Sequence, residues 1–167
     1  MSYVETFTEI FTALNKYKVL CMIIGGTAVG FHGYIRKSTT HDGLVVDKPD
    51  LDIWYSPSIS NYFNLLNALE EMGFDVGKYR AEQSPRPDKS IFRFNLEACT
   101  LDFLPGVTTS TKFREAYLRR EKVTRNGVEF SIISLDDLIA EKQMLGREKD
   151  LKDIEQLKAI KNKTRPA

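Results

Sequence analysis

Apolar residues at the head of the chain fall at helical spacing: Val4, Phe7, Ile10, Phe11 and Leu14. One apolar position per turn predicts an amphipathic helix, and the polar Asn15 to Lys18 ends it. Val19 to Ile24 is a continuous apolar run, suited to a buried strand. A tight turn at Gly25-Gly26-Thr27 follows, leading through Ala28, Val29 and Phe31 into a short helix. From Lys37 to Pro49 the chain is polar, with turn signals at His41-Asp42-Gly43 and Lys48-Pro49 and a small strand at Leu44-Val45-Val46. This stretch reads as a loop or hairpin insertion, centred on 41–49.

Asp50 to Tyr55 alternates as a strand does. Ser56-Pro57-Ser58 starts a helix with apolar positions at Ile59, Tyr62, Phe63, Leu66, Leu69 and Met72, and Gly73 stops it. Gly77 to Ser90, polar and carrying Pro85 and Pro87, reads as a loop. Ile91 to Leu96 and Cys99 to Leu104 are alternating runs joined at Glu97-Ala98, which predicts a hairpin. Thr111 to Arg120 predicts a helix, and Lys122 to Ile133 a second hairpin turning at Asn126-Gly127. Two helices close the chain over 135–162, parted near Gly146; Ser134 starts the first, with Asp137 placed to complete a capping box. Hairpins and helices mixed in this way predict an α+β fold, a mixed sheet with helices packed against it.

Composition narrows the class. At 167 residues and 42% hydrophobic content, the chain can bury a proper core as one domain over 1–167. Its formal net charge is +1, which argues against a general polyanion binder. The basic residues between Lys112 and Arg125, and those past Lys142, read for the most part as solvated helix faces, with a local anion site as the alternative. Cys21 and Cys99 sit inside apolar runs, with no CxxC or Cys/His cluster, so they read as buried thiols in a reducing, cytoplasmic compartment. No apolar stretch approaches ~20 residues, so neither a membrane span nor a signal peptide is expected.

Four places carry candidate chemistry. Gly25-Gly26-Thr27, at a strand-to-helix junction, allows close approach of backbone to phosphate, with free N–H groups and a hydroxyl as donors. Alone, a double glycine is more often a plain turn. In Asp50-Leu51-Asp52, strand alternation puts two carboxylates on one face. Such a pair repels unless a cation lies between, and hard oxygen ligands beside a phosphate substrate point to magnesium. An isolated pair of this kind is more often an exposed polar edge. Asp102, between apolar neighbours, adds a third carboxylate if its strand lies beside the first; three can hold two metal ions. Finally, helical periodicity places Lys142 on the apolar face of one closing helix and Asp150 on that of the other, with Asp153 at the border. Buried charges of this kind need a partner or a ligand. A structural ion pair of Lys142 or Arg147 with Asp150 and a role in a site both remain open.

Taken together, Met22-Ile23-Ile24-Gly25-Gly26-Thr27, Asp50-Leu51-Asp52-Ile53 and Leu101-Asp102-Phe103 resemble the nucleotidyltransferase superfamily of DNA polymerase beta. The stretch His32-Gly33-Tyr34 with Arg36 and Thr39 is similar to the branch of minimal nucleotidyltransferases and AbiEii-type toxins. So is the ending with Leu138-Ile139, Lys142, Gly146-Arg147, Lys149-Asp150-Leu151, Asp153 and Leu157. The resemblance runs from about Val19 to Leu157. It implies a nucleotidyltransferase fold that uses a nucleoside triphosphate with two Mg2+ ions. Gly25, Gly26 and Thr27, with Arg36 and Lys142, would bind the substrate. Asp50, Asp52 and Asp102 would bind metal, Asp102 serving as third ligand or as base, and Lys142 and Asp150 would complete the catalytic set. The gap between the glycines and Asp50 is longer than the family pattern, and no large second domain follows, so a partner subunit is expected to help.

The function this implies is transfer of a nucleoside monophosphate to a protein or RNA acceptor, in a toxin paired with an antitoxin as one form. Adenylylation of an aminoglycoside or lincosamide is an alternative; a cationic drug calls for an acidic pocket, and Glu70-Glu71, an adjacent acidic pair outside the motifs, sits on a helix. A catalytically idle fold that binds or regulates a partner is the third, and the presence of all three carboxylates argues against it.

Overall fold

The computed structural model describes residues 1–35, 38–39, 45–46 and 48–164. The chain opens with helix α1 (Tyr3–Lys16), strand β1 (Cys21–Ile24) and helix α2 (Gly25–Phe31). A two-stranded hairpin follows, β2 (Ser38–Thr39) with β3 (Val45–Val46), paired antiparallel. Then come β4 (Asp50–Tyr55), α3 (Ile59–Glu71), the one-turn α4 (Gly77–Arg80), β5 (Phe92–Asn95) and β6 (Thr100–Leu104). Helix α5 (Phe113–Arg119), the hairpin β7 (Glu121–Arg125) and β8 (Val128–Ile132), and helices α6 (Leu135–Leu145) and α7 (Glu148–Thr164) complete it.

Among the described residues the main sheet has six strands in the order β5-β6-β4-β1-β8-β7. Its two hairpins, β5–β6 and β7–β8, lie at the edges and are antiparallel. The centre is mixed: β4 is antiparallel to β1 and parallel to β6, and β1 is parallel to β8. This is the mixed α+β sheet that the hydrophobic pattern predicts.

Alternation divides the sheet into a packed face and a working face. Leu51, Ile53 and Tyr55 of β4, with Leu101 and Phe103 of β6, are fully buried. On the same face Phe7 and Phe11 of α1 pack on Phe130 of β8, with ring centroids 5.0 and 5.3 Å apart. Asn61 of α3 ties the layer together: its side chain accepts from Leu20 N and donates to the carbonyls of Leu20 and Ser56. Asp50, Asp52 and Asp102 lie on the other face.

Several boundaries differ from the sequence reading. Helix α2 begins at Gly25 itself, so the two glycines form the first turn of the helix and not a separate turn before it. Residues 77–90, read as a loop, hold α4 and a 3₁₀ turn at Pro87–Lys89. They are fastened to the core because the Tyr55 hydroxyl donates to the Pro87 carbonyl at 2.9 Å. The capping box is complete at α1, where Ser2 and Glu5 exchange both bonds. At α6 the Asp137 N–H donates to Ser134 Oγ, but the Asp137 carboxylate accepts from the Ser134 hydroxyl and from Arg119. The strand within the 41–49 segment is β3; the remainder of 40–47 and Arg36 lie outside the described residues.

Candidate active site

Strand β4 supplies Asp50 and Asp52 on one face, and the parallel strand β6 sets Asp102 directly opposite Asp52. Asp50 lies one step along, opposite Thr100. The two facing carboxylates are therefore a consequence of register. Burial, then the charges of Asp102 and Asp50, push the Asp52 carboxyl up to about 6; Lys142 and Arg93 oppose the shift.

Gly25 closes over this carboxylate. Its φ is +67°, and a Cβ built there would stand 2.5 Å from Asp52 Oδ2. Glycine is needed twice, for the left-handed backbone and for the close approach. Thr27 ties the same turn to β4, its hydroxyl donating to the Asp50 carbonyl at 2.8 Å. At the far end of α2, His32 Nε2 lies 2.7 Å from the Ile133 carbonyl, anchoring the helix to the end of β8.

Arg93 of β5 sits opposite Asp102 in the antiparallel hairpin. Its Nε donates to Asp102 Oδ1 and Oδ2 at 2.9 and 3.1 Å, and its Nη2 to Oδ2 at 2.9 Å. The loop after β6 is pinned from α6: both oxygens of the buried Glu141 carboxylate accept backbone N–H groups, from Thr108 at 2.9 Å and Thr109 at 3.0 Å. Neither Arg93 nor Glu141 is among the site residues that the sequence suggests. The first carried a signal there, since a turn at Glu97-Ala98 sets 93 against 102. The second did not, because its partners are main-chain groups that every loop possesses.

At the joint of α6 and α7, Lys142 Nζ lies 3.2 Å from Asp150 Oδ1 and 3.0 Å from Asp153 Oδ2. The lysine side chain is 3% exposed and both aspartates 0%. Arg147 adds its Nε at 2.6 Å from Asp150 Oδ2. Burial would raise the Asp150 carboxyl, but hydrogen bonds from Arg147 and Lys142 outweigh it and hold the group below the ordinary carboxylate range. Periodicity thus located the pair correctly, and the ion pair between Lys142 and Asp150 is formed. Asp153, read as a border residue, is fully buried and is the second partner.

These elements surround a groove of about 710 Å³, onto which Gly25, Gly26, Asp50, Asp52, Asp102 and Lys142 all open. Among the described residues no group of three His, Cys, Asp or Glu side chains is gathered tightly enough to hold a metal ion: Asp102 is engaged by Arg93. Asp50 and Asp52 nonetheless fit a hard divalent cation in chemistry. They are same-face oxygen donors, and the upward push on Asp52, from burial first and from the Asp102 and Asp50 charges second, is one that a bound cation would oppose.

A model of the family described as nucleotidyltransferase of unknown function (DUF6036) matches residues 1–164. No curated protein sequence matches the chain. Among solved structures, the chain is similar to the lincosamide antibiotic adenylyltransferase LnuA, solved with lincomycin bound. The TM-score is 0.59 at 18% identity, over 96% of this chain and 98% of that one. It is similar to the antibiotic-resistance factor ANT(2'')-Ia, with TM-score 0.57 at 16% identity over 94% and 84%. It is also similar to TM1012 of Thermotoga maritima, described as a putative nucleotidyltransferase, with TM-score 0.53 at 15% identity over 98% and 96%. At such identities the likeness shows the fold, and the fold is that of nucleotidyltransferases.

Proposed function

The chain belongs to the DUF6036 nucleotidyltransferase family, and from that premise we propose that it moves a nucleoside monophosphate from a nucleoside triphosphate to a hydroxyl of a protein or RNA acceptor. The observation that carries this reading is the register pair Asp52 and Asp102 beneath the Gly25 turn, open to a groove. Asp50 and Asp52 would hold Mg2+, which supplies charge neutralisation for the triphosphate when bound. The backbone of Gly25 and Gly26 offers N–H donors to the phosphates. The side chain of Thr27 already donates to the Asp50 carbonyl, so its part is to hold the turn in place. Asp102, fixed by Arg93, faces the acceptor: the acceptor oxygen bonds to the α-phosphorus, the bond to the bridging oxygen of the β-phosphate breaks, pyrophosphate leaves, and the hydroxyl proton passes to Asp102. Lys142 lines the groove and is held in place by Asp150, and Arg36 is assigned to the substrate on the resemblance alone.

A toxin role, with an antitoxin as partner, is a finer version of this reading and rests on the Lys142, Asp150 and Asp153 pattern. An antibiotic acceptor is the second reading, favoured by the likeness to the two resistance proteins. We place the enzyme in the cytoplasm on the two free, buried cysteines. Among the described residues no helix is long and apolar enough to cross a membrane. The test is incubation of the protein with triphosphates labelled at the α-phosphate, Mg2+ and cell extract, beside Asp52→Asn. Label on a macromolecule with the wild type alone supports the proposal. Equal labelling by both proteins, or labelling of neither, ends it.

A further inference from the structure

The order of strands gives the groove two flanks. On the β1 side of Asp50 and Asp52 stands the glycine turn, and α6, with Lys142 and Glu141, reaches from α2 to the loop after β6. On the other side stand β6 with Asp102 and then the edge strand β5 with Arg93. If the triphosphate lies on the glycine side, as the proposed function holds, Arg93 faces the acceptor; the inference rests on that reading.

Arg93 is built for a ligand. Its side chain is 69% exposed while that of Asp102 is 13% exposed. A guanidinium has five N–H groups, and Asp102 engages the Nε–H and the Nη2 side. The Nη1 donors have no partner among the described residues, and the residue lines the groove. The two-point grip of Asp102 fixes the plane of the guanidinium, so the remaining donors are held in one orientation. The acids that reach this flank are already occupied: Asp102 by Arg93, and Glu141 of α6 by the Thr108 and Thr109 amides of the loop after β6. A polycation finds no unengaged carboxylate there among the described residues.

We propose that Arg93 is an acceptor-binding residue, whose outward N–H groups take an oxyanion carried by the acceptor beside its reacting hydroxyl. The acceptor class is thus an alcohol bearing a phosphate or a carboxylate, and polycationic drugs are disfavoured.

The experiment uses the protein loaded with Mg2+ and a non-hydrolysable ATP analogue, so that the donor flank is filled. Inorganic phosphate, acetate and kanamycin are titrated separately into wild type, Arg93→Gln and Arg93→Lys. Binding is read by calorimetry and by the arginine Nε–H signals in nuclear magnetic resonance. Saturable phosphate binding is expected in the wild type, weakened roughly tenfold or more in Arg93→Gln, as for loss of a charge-assisted bond, and partly restored in Arg93→Lys. Acetate in place of phosphate would assign the anion to a carboxylate. The analogue itself should bind all three proteins alike. Equal phosphate affinity in wild type and Arg93→Gln, or tighter binding of kanamycin than of either anion, overturns the inference. So does a loss of analogue affinity in Arg93→Gln, which would move Arg93 to the donor flank. If the analogue binds none of the proteins, the transfer reading fails, and the same phosphate comparison on the free proteins decides Arg93 separately.

Discussion

Asp52 and Gly25 are a matched pair, and each makes a prediction about the other. Burial and the neighbouring carboxylates push the Asp52 carboxyl up to about 6 in the fold from an ordinary value of 3.8. Between those values the native state holds the proton more tightly than the unfolded chain does. The contribution to stability is therefore full below the ordinary value and is lost as pH rises through about 6. Asp52→Asn removes this titration. In metal-free protein at neutral pH the variant should melt above the wild type, on the order of 1–3 kcal/mol or a few degrees. The gap should close in acid, below the ordinary carboxylate value. Melting curves across pH check this, and a wild type at least as stable as the variant at pH 7 would show that the carboxylates are not in conflict. Transfer should vanish in the same variant, so activity and stability move in opposite directions. Gly25→Ala acts from above: the left-handed backbone costs about 1–2 kcal/mol, and the new methyl displaces the Asp52 carboxylate. A modest fall in melting temperature should accompany complete loss of triphosphate binding by calorimetry. Retained binding would mean that the 2.5 Å approach is not used.

At the level of elements, the joint of α6 and α7 decides how Lys142 behaves. Two cations, Lys142 and Arg147, face two fully buried anions, Asp150 and Asp153. Lys142→Met strips both aspartates of their shared lysine, and breaking a buried pair costs roughly 3–5 kcal/mol. Melting should fall by on the order of 10 °C for a chain of this size. Adding Asp150→Leu should recover part of the loss and no more, since Asp153 keeps its charge. Full recovery in the double variant would mean that Asp153 does not depend on Lys142. The sequence showed this joint well because helical periodicity reports burial directly, and a charge on an apolar stripe calls for a partner. Strand alternation likewise placed Asp50 and Asp52 on one face and left Asp102 conditional on its strand lying beside theirs, and the turn at Glu97-Ala98 contained the pairing of Arg93 with Asp102 unread. The first turn of α2 was harder, since two glycines carry the same local signal whether they precede a helix or begin it. Glu141 was out of reach, because its partners are amides of a loop whose course depends on the whole fold.

For the molecule as a whole, function depends on strand order, which no local pattern reports. The parallel pairing of β1 with β8 joins residues 23 and 132, and that of β4 with β6 creates the facing aspartates. Both became visible only when the sheet was assembled. That order predicts how ligands act on global stability. A bare triphosphate brings negative charge to a groove already lined by the carboxylates of Asp50, Asp52 and Asp102, so alone it should bind poorly. With Mg2+ between Asp50, Asp52 and the phosphates, the repulsion becomes attraction. A ligand that binds the native state alone stabilises it by RT ln(1 + [L]/Kd), about 2.7 kcal/mol at a hundredfold excess over Kd. For a chain of this size that is a rise of roughly 5–10 °C in melting temperature. The rise should need triphosphate and Mg2+ together. It should be absent in Asp52→Asn and persist in Arg93→Gln, whose residue lies on the opposite flank. A scanning thermal titration of the three proteins, with each ligand alone and then both, reads all of this at once. An equal rise with triphosphate and EDTA would place the anion at Arg147 and the α6–α7 joint instead, and the carboxylates would lose their assigned part.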